Sequence, residues 1–393
     1  MKPPHARTIA NAALLVVLSL ACGWFIAGSN GWYAERDFHC WWVAGRIVAT
    51  GGDPYDAQQF VPAVRTLPPS EERALSRCGQ RLSYPPWTGA VLAPFGALPL
   101  PAAATLWAAL AVAAAVVGIN LTWQLARLRR FSWPLVLALV VGTEPFARNF
   151  SEGQFATFTL ALTAAAALSM LSKRDAAGGL ATASLSVKPQ TAIGFAAVLL
   201  ALAIFRRRWR FVGASLACGL GLLGLTQLLR PGWLLESVGA STSLSGSIPD
   251  RATIWNLAGS WPLAIVMIAL LVAAVVVVIR PRGADDAEIL GLAVPFSLVV
   301  APYAWEHDLV VLAIPWCMVI AHASRLQALP RRALTIATIT VAWPLPYILA
   351  AAAALRGTES LTVVVPMLTA VLLALAIRWT SRAQVNEGRT AAG

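Results

Sequence analysis

A chain of 393 residues, 58% of them hydrophobic and only 12% charged, cannot cover itself with a water-soluble surface, since an ordinary soluble domain has roughly a quarter of its residues charged. The net charge of +12 gives no footprint for nucleic acid, because the basic residues fall in short clusters between apolar runs, as they do in the cytoplasmic loops of membrane proteins. A soluble domain carrying one anchor and a nucleic-acid-binding protein are both set aside.

The first apolar run, Ile9 to Ala27, follows Lys2 and Arg7. It is longer than the core of a signal peptide, about 7 to 15 residues, and predicts a retained first helix. With the N-terminus inside, residues 30–83 form a large first extracytoplasmic loop that carries Glu35, Arg36, Asp37, Asp53, Asp56, Glu71 and Glu72. Within the loop, Phe38 to Ala49 (FHCWWVAGRIVA) is too short to cross a bilayer and predicts a helix lying in the interface. Cys40 and Cys78 share this loop, where an oxidising compartment permits a disulfide; bridged and free thiols both remain open. Cys22, Cys218 and Cys317 sit in apolar segments as small core residues.

Further apolar segments begin near Trp87, Ala102, Trp133, Phe155, Ala176, Thr191, Phe211, Trp255, Ile289, Leu309, Ala333 and Leu361. The basic clusters are Arg127 with Arg129 and Arg130, Lys173-Arg174, Arg206-Arg207-Arg208 with Arg210, and Arg331-Arg332. Placing all of them inside requires that one of the two runs flanking Pro99 stops short of crossing. The chain then reads as an all-α, multi-pass bundle over residues 1–393, with about twelve transmembrane helices by the length rule. On this map the segments Glu144–Gln154, Pro231–Thr253, Pro302–Asp308 and Arg356–Ser360 face outside.

Ionisable groups at membrane depth mark pathways or sites, which singles out Lys188, Arg148, Glu152, Glu306, His307 and Asp308. For Glu152, Glu306 and Asp308 the simpler reading is a solvated helix end. Lys188 lies between apolar runs and is followed by Pro189, which predicts a hairpin of half-length helices carrying the lysine into a cavity open to the outer face. A cation there needs an anionic partner. Asp37, just after the first helix, is placed to act as general base on a sugar or lipid hydroxyl if desolvation raises its pKa. Glycine-rich phosphate loops, HExxH pairs and GxSxG elbows are absent, which argues against nucleotide-consuming and hydrolase chemistry. No cysteine spacing or carboxylate cluster predicts a metal, and no cofactor is expected.

The ordered set Arg36-Asp37-Phe38, Gly51-Gly52-Asp53-Pro54-Tyr55, Tyr84-Pro85-Pro86, Gly153-Gln154, Lys188-Pro189 and Trp305-Glu306-His307 resembles glycosyltransferase family 87. That family lies within the GT-C superfamily of membrane enzymes using polyprenyl-phosphate sugars. The resemblance implies inverting transfer of a hexose, mannose above others, from a polyprenyl-phosphate donor to a glycolipid or polysaccharide hydroxyl at the outer face of the plasma membrane. It implies Asp37 as the base and Lys188 and His307 as the donor-phosphate ligands, with Arg148 a further one. Gln154, Tyr84 and Glu306 are implied in substrate binding. The competing classes are a secondary transporter, against which the halves show no repeat, and a non-catalytic flippase or assembly factor, which a dispensable Asp37 would favour.

Overall fold

The computed structural model describes residues 37–66, 78–128, 136–137, 140–239, 252–279 and 284–392. The expected first helix over 9–27, with Cys22, lies outside the described residues, as do Glu35, Arg36, Glu71, Glu72, Arg129, Arg130 and Trp133. Among the described residues there are helices and turns and no β-strand. Chain contacts divide the protein into two compact units, and each is taken by itself.

The first unit is Met1–Val117, Asn149–Phe158 and Gly219–Ser247. Its helices are α1 (Phe38–Ala49), α2 (Ala57–Arg65), α3 (Pro86–Gly96) and the first part of α4 (Leu100–Leu125). The interfacial helix read from FHCWWVAGRIVA has the bounds of α1. Helices α1 and α3 meet backbone to backbone: a Cβ on Gly45 would lie 2.2 Å from the Leu92 carbonyl oxygen, and one on Gly96 would lie 2.0 Å from the Arg46 nitrogen. Cys40 of α1 is bridged to Cys78. Val43, Ala44 and Ile47 of α1 pack with Tyr55, Phe60, Val64, Leu82 and Trp233. With 11 residues, α3 rises only about 16 Å, whereas the 26 residues of α4 rise about 39 Å. Only the second of the two runs flanking Pro99 is therefore long enough to cross.

The second unit is Gly118–Arg148, Thr159–Cys218 and Ile248–Gly393. In chain order the helices that follow α4 are α5 (Glu144–Glu152), α6 (Ala156–Leu171), α7 (Asp175–Ser184), α8 (Pro189–Phe205), α9 (Trp209–Leu229), α10 (Ile254–Ala258), α11 (Trp261–Ile279) and α12 (Asp286–Val300). Then come α13 (Ala313–Ala323), α14 (Ala328–Ala342), α15 (Pro344–Arg356) and α16 (Val364–Ala392), with 3₁₀ turns at Leu185–Val187, Glu306–Leu312 and Ser360–Val363. Within this unit α8 packs on α12, and α11, α12 and α13 pack on α16. Every residue of α13 is buried, and Trp316 Nε1 donates to Thr369 Oγ1 at 3.0 Å. Ion pairs Arg206–Asp286 and Arg208–Asp175 sit at helix ends, leaving the shafts apolar.

Six helical stretches are long and apolar enough to cross a membrane, among the described residues and by length and composition: Leu100–Leu125, Trp209–Leu229, Trp261–Val278, Glu306–Ala323, Ala328–Arg356 and Ser360–Ala383. A seventh results if α5 and α6, bent by 119° at their junction, count as one span. Leu220 and Leu228 on α9 and Leu270 and Val277 on α11 are exposed. Contiguous apolar faces of this size are suited to lipid, not water.

At Lys188 the structure differs from the sequence-based expectation in the length of one helix. Of the expected pair of half-length helices only α7, with 10 residues, is short; α8 has 17. Pro189 occupies the first position of α8, where its missing N–H would have been unsatisfied in any case. The chain breaks at Lys188, as expected, and Pro189 starts the helix that follows.

Candidate functional site

In the first unit, the junction between α5 and α6 shapes the surroundings of Asp37. Gly153 takes a left-handed φ of 69°, which glycine adopts without a Cβ clash. The opened backbone is closed again by neighbours: Gln154 N donates to Asn149 O at 2.9 Å, Ala156 N to Asn149 Oδ1 at 2.9 Å, and Trp107 Nε1 to Gly153 O at 2.8 Å. The turn fixes Gln154, whose Nε2 donates to Asp37 Oδ2 at 2.5 Å. Asp37 occupies the N-cap of α1, yet its carboxylate makes no cap hydrogen bond. An N-cap aspartate ordinarily accepts from the first-turn amides; here the carboxylate is turned to another purpose.

Around this pair stand aromatic rings. Trp41 packs on Phe155 at 3.9 Å and on Tyr84 at 4.8 Å between centroids, and Phe38 packs on Trp107 at 5.5 Å. The Tyr84 carbonyl accepts from the Tyr55 hydroxyl. Gln154 is buried and its Oε1 has no partner among the described residues, so one amide holds the carboxylate and also offers an acceptor to a hydroxyl.

The Gly-Gly-Asp-Pro-Tyr stretch serves this unit differently. Asp53 is buried, accepts from Tyr55 N at 2.9 Å, and pairs with Arg230 at 2.8 Å. Burial first, then Asp53 and Glu236, raises the Tyr55 phenol above its usual range. Desolvation first, then Asp53, raises the Glu236 carboxyl, against the opposing Arg230. These are supports for the loop.

In the second unit, Lys188 is the non-helical residue between the Leu185–Val187 turn and α8, with φ −129° and ψ 71°, outside the α region that a following proline disfavours. It is 2% exposed. Its Nζ pairs with Asp308 Oδ1 and lies 3.3 Å from His307 Nε2. Asp308 also accepts from Trp305 N at 3.1 Å, which fixes the carboxylate. The cation thus has the anionic partner that its position demanded. Gln190 and Thr191, in the first turn of α8, are both buried. Gln190 Nε2 and Thr191 Oγ1 have no partner among the described residues, a costly state for buried donors. The N-terminus of α8 adds its partial positive charge at the same place.

Arg148 is held between two carboxylates, 3.4 Å from Glu306 Oε2 and 3.4 Å from Glu359 Oε1. The expectation that Glu306 and Asp308 are solvated helix ends is overturned: they are 2% and 3% exposed. Both follow α12 into the 3₁₀ turn, which tucks them inside the unit. Glu152 is half-buried.

The site residues read from the sequence thus fall into three groups. Asp37 meets Gln154 beside Tyr84, Lys188 meets His307, and Arg148 meets Glu306. Sequence reasoning missed Glu359, Gln190 and Thr191 as members. The latter two were within reach, since a proline at the first helical position makes the residues after it a first turn with free amides. Glu359 carried no local signal. Among the described residues no three His, Cys, Asp or Glu side chains converge as a metal site would require.

Long apolar helices interrupted at a few places, with charged and amide side chains drawn into the interruptions, define a multi-pass helical membrane protein. Residues 82–302 match the family model for glycosyltransferase family 87. That is more than half of the chain, and the protein belongs to this family; it is a glycosyltransferase, with a sugar donor and an acceptor as substrates. No curated protein and no solved structure matches it.

Proposed function

We propose that this glycosyltransferase moves a hexose, mannose above others, from a polyprenyl-phosphate donor to a hydroxyl of a lipid or glycan acceptor at the extracytoplasmic face of the plasma membrane, with inversion, and that it crosses the membrane about twelve times in the GT-C manner. The observation that carries the reading is the buried Lys188 at the head of α8, oriented by Asp308 and beside His307. In transfer from a lipid-linked sugar phosphate, the acceptor oxygen bonds to the anomeric carbon while the carbon–oxygen bond to phosphate breaks. The electron pair leaves with the polyprenyl phosphate. A fixed cation and helix-end amides favour that growing charge, and the buried Gln190 amide and Thr191 hydroxyl are further donors for phosphate oxygens.

Asp37 takes the acceptor proton in this proposal, with Gln154 fixing the carboxylate and Tyr84 lining the substrate path. Both substrates carry lipid or arrive at the membrane surface, which suits a site reached from within the bilayer. The test is transfer of radiolabelled mannose from polyprenyl-phosphate mannose in membranes containing wild type or Asp37→Asn, with yield in detergent as the folding control. Loss confined to the variant supports the assignment. No transfer by wild type from mannosyl, glucosyl or arabinosyl donors refutes the donor class and favours transport or glycan assembly.

A further inference from the structure

Among the described residues three that are not glycine take a left-handed φ, and all three are basic: Arg127 at 53°, Lys173 at 58° and Arg207 at 54°. They lie two residues past the ends of α4, α6 and α8, within the second unit. We propose that Lys173 and Arg207 form a docking surface for the phosphate of an anionic glycerophospholipid. The surface is separate from the Lys188 site, since the 17 residues of α8 put about 26 Å between the two ends of that helix.

The backbone is the first argument. Glycine commonly closes a helix at this position, because a Cβ is crowded in the left-handed region. The closing bonds here are those of a glycine cap. Lys173 N donates to Met170 O at 3.3 Å and Arg174 N to Ser169 O at 2.8 Å; Arg207 N donates to Ile204 O at 2.9 Å and Arg208 N to Ala203 O at 2.8 Å. Glycine would make the same bonds without the crowding, so the two side chains are held there at a cost. The dipole of a helix favours a cation at this end, but Arg207 stands between Arg206 and Arg208, and a third like charge adds repulsion.

Charge is the second. Arg206 pairs with Asp286 and Arg208 with Asp175, so those two cations are neutralised in place. Among the described residues no hydrogen bond or ion pair engages the side chain of Lys173 or of Arg207. Both are exposed, as are Arg174 and Arg210. Arg127 differs: it lines a cavity with Asp285 and Glu288, so its charge has acidic neighbours. An ammonium and a guanidinium left open in adjoining turns suit the oxygens of a phosphate.

Placement is the third. Arg208 Nη1 donates at 3.1 Å to Met170 O, the carbonyl that also receives the Lys173 N–H, so the two caps are neighbours at one end of the unit. Phe205 and Trp209 flank the arginines and are 79% and 62% exposed, as aromatic side chains are at a membrane boundary. A phosphate held by the cations has its glycerol and acyl chains beside these rings. The rule that puts basic clusters inside assigns this end to the cytoplasmic leaflet, whose surface is negative because of its anionic lipids.

The experiment is native mass spectrometry of the full-length protein, titrated in detergent at fixed ionic strength with phosphatidylglycerol or with phosphatidylcholine of the same acyl chains. Wild type should retain phosphatidylglycerol in preference. Lys173→Gly and Arg207→Gly both suit a left-handed φ. Each should lower that retention about fivefold, the share of one cation near an anionic surface, and leave phosphatidylcholine unchanged. In phosphatidylcholine nanodiscs both variants should match or exceed wild type in apparent Tm. The proposal is overturned by no preference in wild type or by unchanged retention in both variants. An equal loss in Arg127→Gly overturns it too, since total charge and not this surface then holds the lipid. A lower Tm of both variants in phosphatidylcholine would make the cations parts of the caps themselves, and displacement of the lipid by inorganic phosphate at equal concentration would make the ligand a free anion; either result also overturns it.

Discussion

The pair formed by Lys188 and Asp308 can be separated into its structural and its chemical part by a double-mutant cycle. Both side chains are at most 3% exposed, so removing either partner strands a buried charge, at a cost of about 3 to 5 kcal/mol. Asp308→Asn keeps an acceptor for Trp305 N and removes only the charge; Lys188→Met removes the cation at similar length. For a chain of this size, at about 2 °C per kcal/mol, each single variant should lose about 6 to 10 °C in apparent Tm. The double variant contains no stranded charge, so most of that loss should return. Transfer should not return, because a lost electrostatic stabiliser of a leaving group costs about 10² to 10³ in kcat. Apparent Tm at one scan rate in detergent and transfer in reconstituted membranes read the two parts separately. A double variant that is stable and retains transfer within a few-fold of wild type would refute the phosphate role and leave the pair as scaffolding.

Three further outcomes are expected. Cys40 and Cys78 close a loop with a sequence separation of 38, for which chain entropy gives about 4 kcal/mol; Cys40→Ser with Cys78→Ser should lower apparent Tm by several degrees, and a reductant should do the same to wild type only. Glu236 has a carboxyl pKa raised above its unfolded value of 4.5 by desolvation and Asp53. Its stabilising contribution is therefore complete below about pH 4.5 and is lost as pH rises through the raised value. Glu236→Gln should flatten the fall in Tm over that range, and parallel Tm curves for variant and wild type would refute the assignment. Gly153→Ala places a side chain at φ 69°, at a cost of about 1 to 2 kcal/mol, and should lower transfer more than stability by displacing Gln154 from Asp37; equal transfer by variant and wild type would contradict that link.

Most helix positions were legible because an apolar run long enough to cross a bilayer has few alternatives. The expected starts near Trp87, Ala102, Phe155, Thr191 and Phe211 became helices beginning at Pro86, Leu100, Ala156, Pro189 and Trp209. The start near Trp255 failed: Gly259, at φ 67°, ends a five-residue helix there, and the long helix begins at Trp261. The site was legible one residue at a time and illegible as pairs. Gln154 meets Asp37 across 117 positions, and Glu359 meets Arg148 across 211. Hydrophobic periodicity has no term for such separations. Glu306 and Asp308 misled because a polar run after Pro302 has the composition of a solvated loop, and only the packing of the 3₁₀ turn against its own unit reveals the burial.

Each interruption of a helix is chemically expensive unless it is closed, since an unpaired backbone group in hydrocarbon costs several kcal/mol. The α5–α6 junction is closed by Asn149 and Trp107. The Lys188 turn is held through Lys188 N to Leu185 O, at 3.2 Å, and Ser297 Oγ to Thr191 O, at 2.7 Å. The segment after α12 is tied by Asp308 to Trp305 N and by Ala252 N to Ala304 O, at 2.9 Å. A continuous helix would satisfy the same backbone groups with none of these side chains. What the interruptions add is position: Gln154, Lys188, Glu306 and His307 all stand at or beside a break, where a side chain can leave the helix surface and meet a ligand. That coincidence in all three places is the physical reason to look for the transfer chemistry in the breaks and not on the long spans.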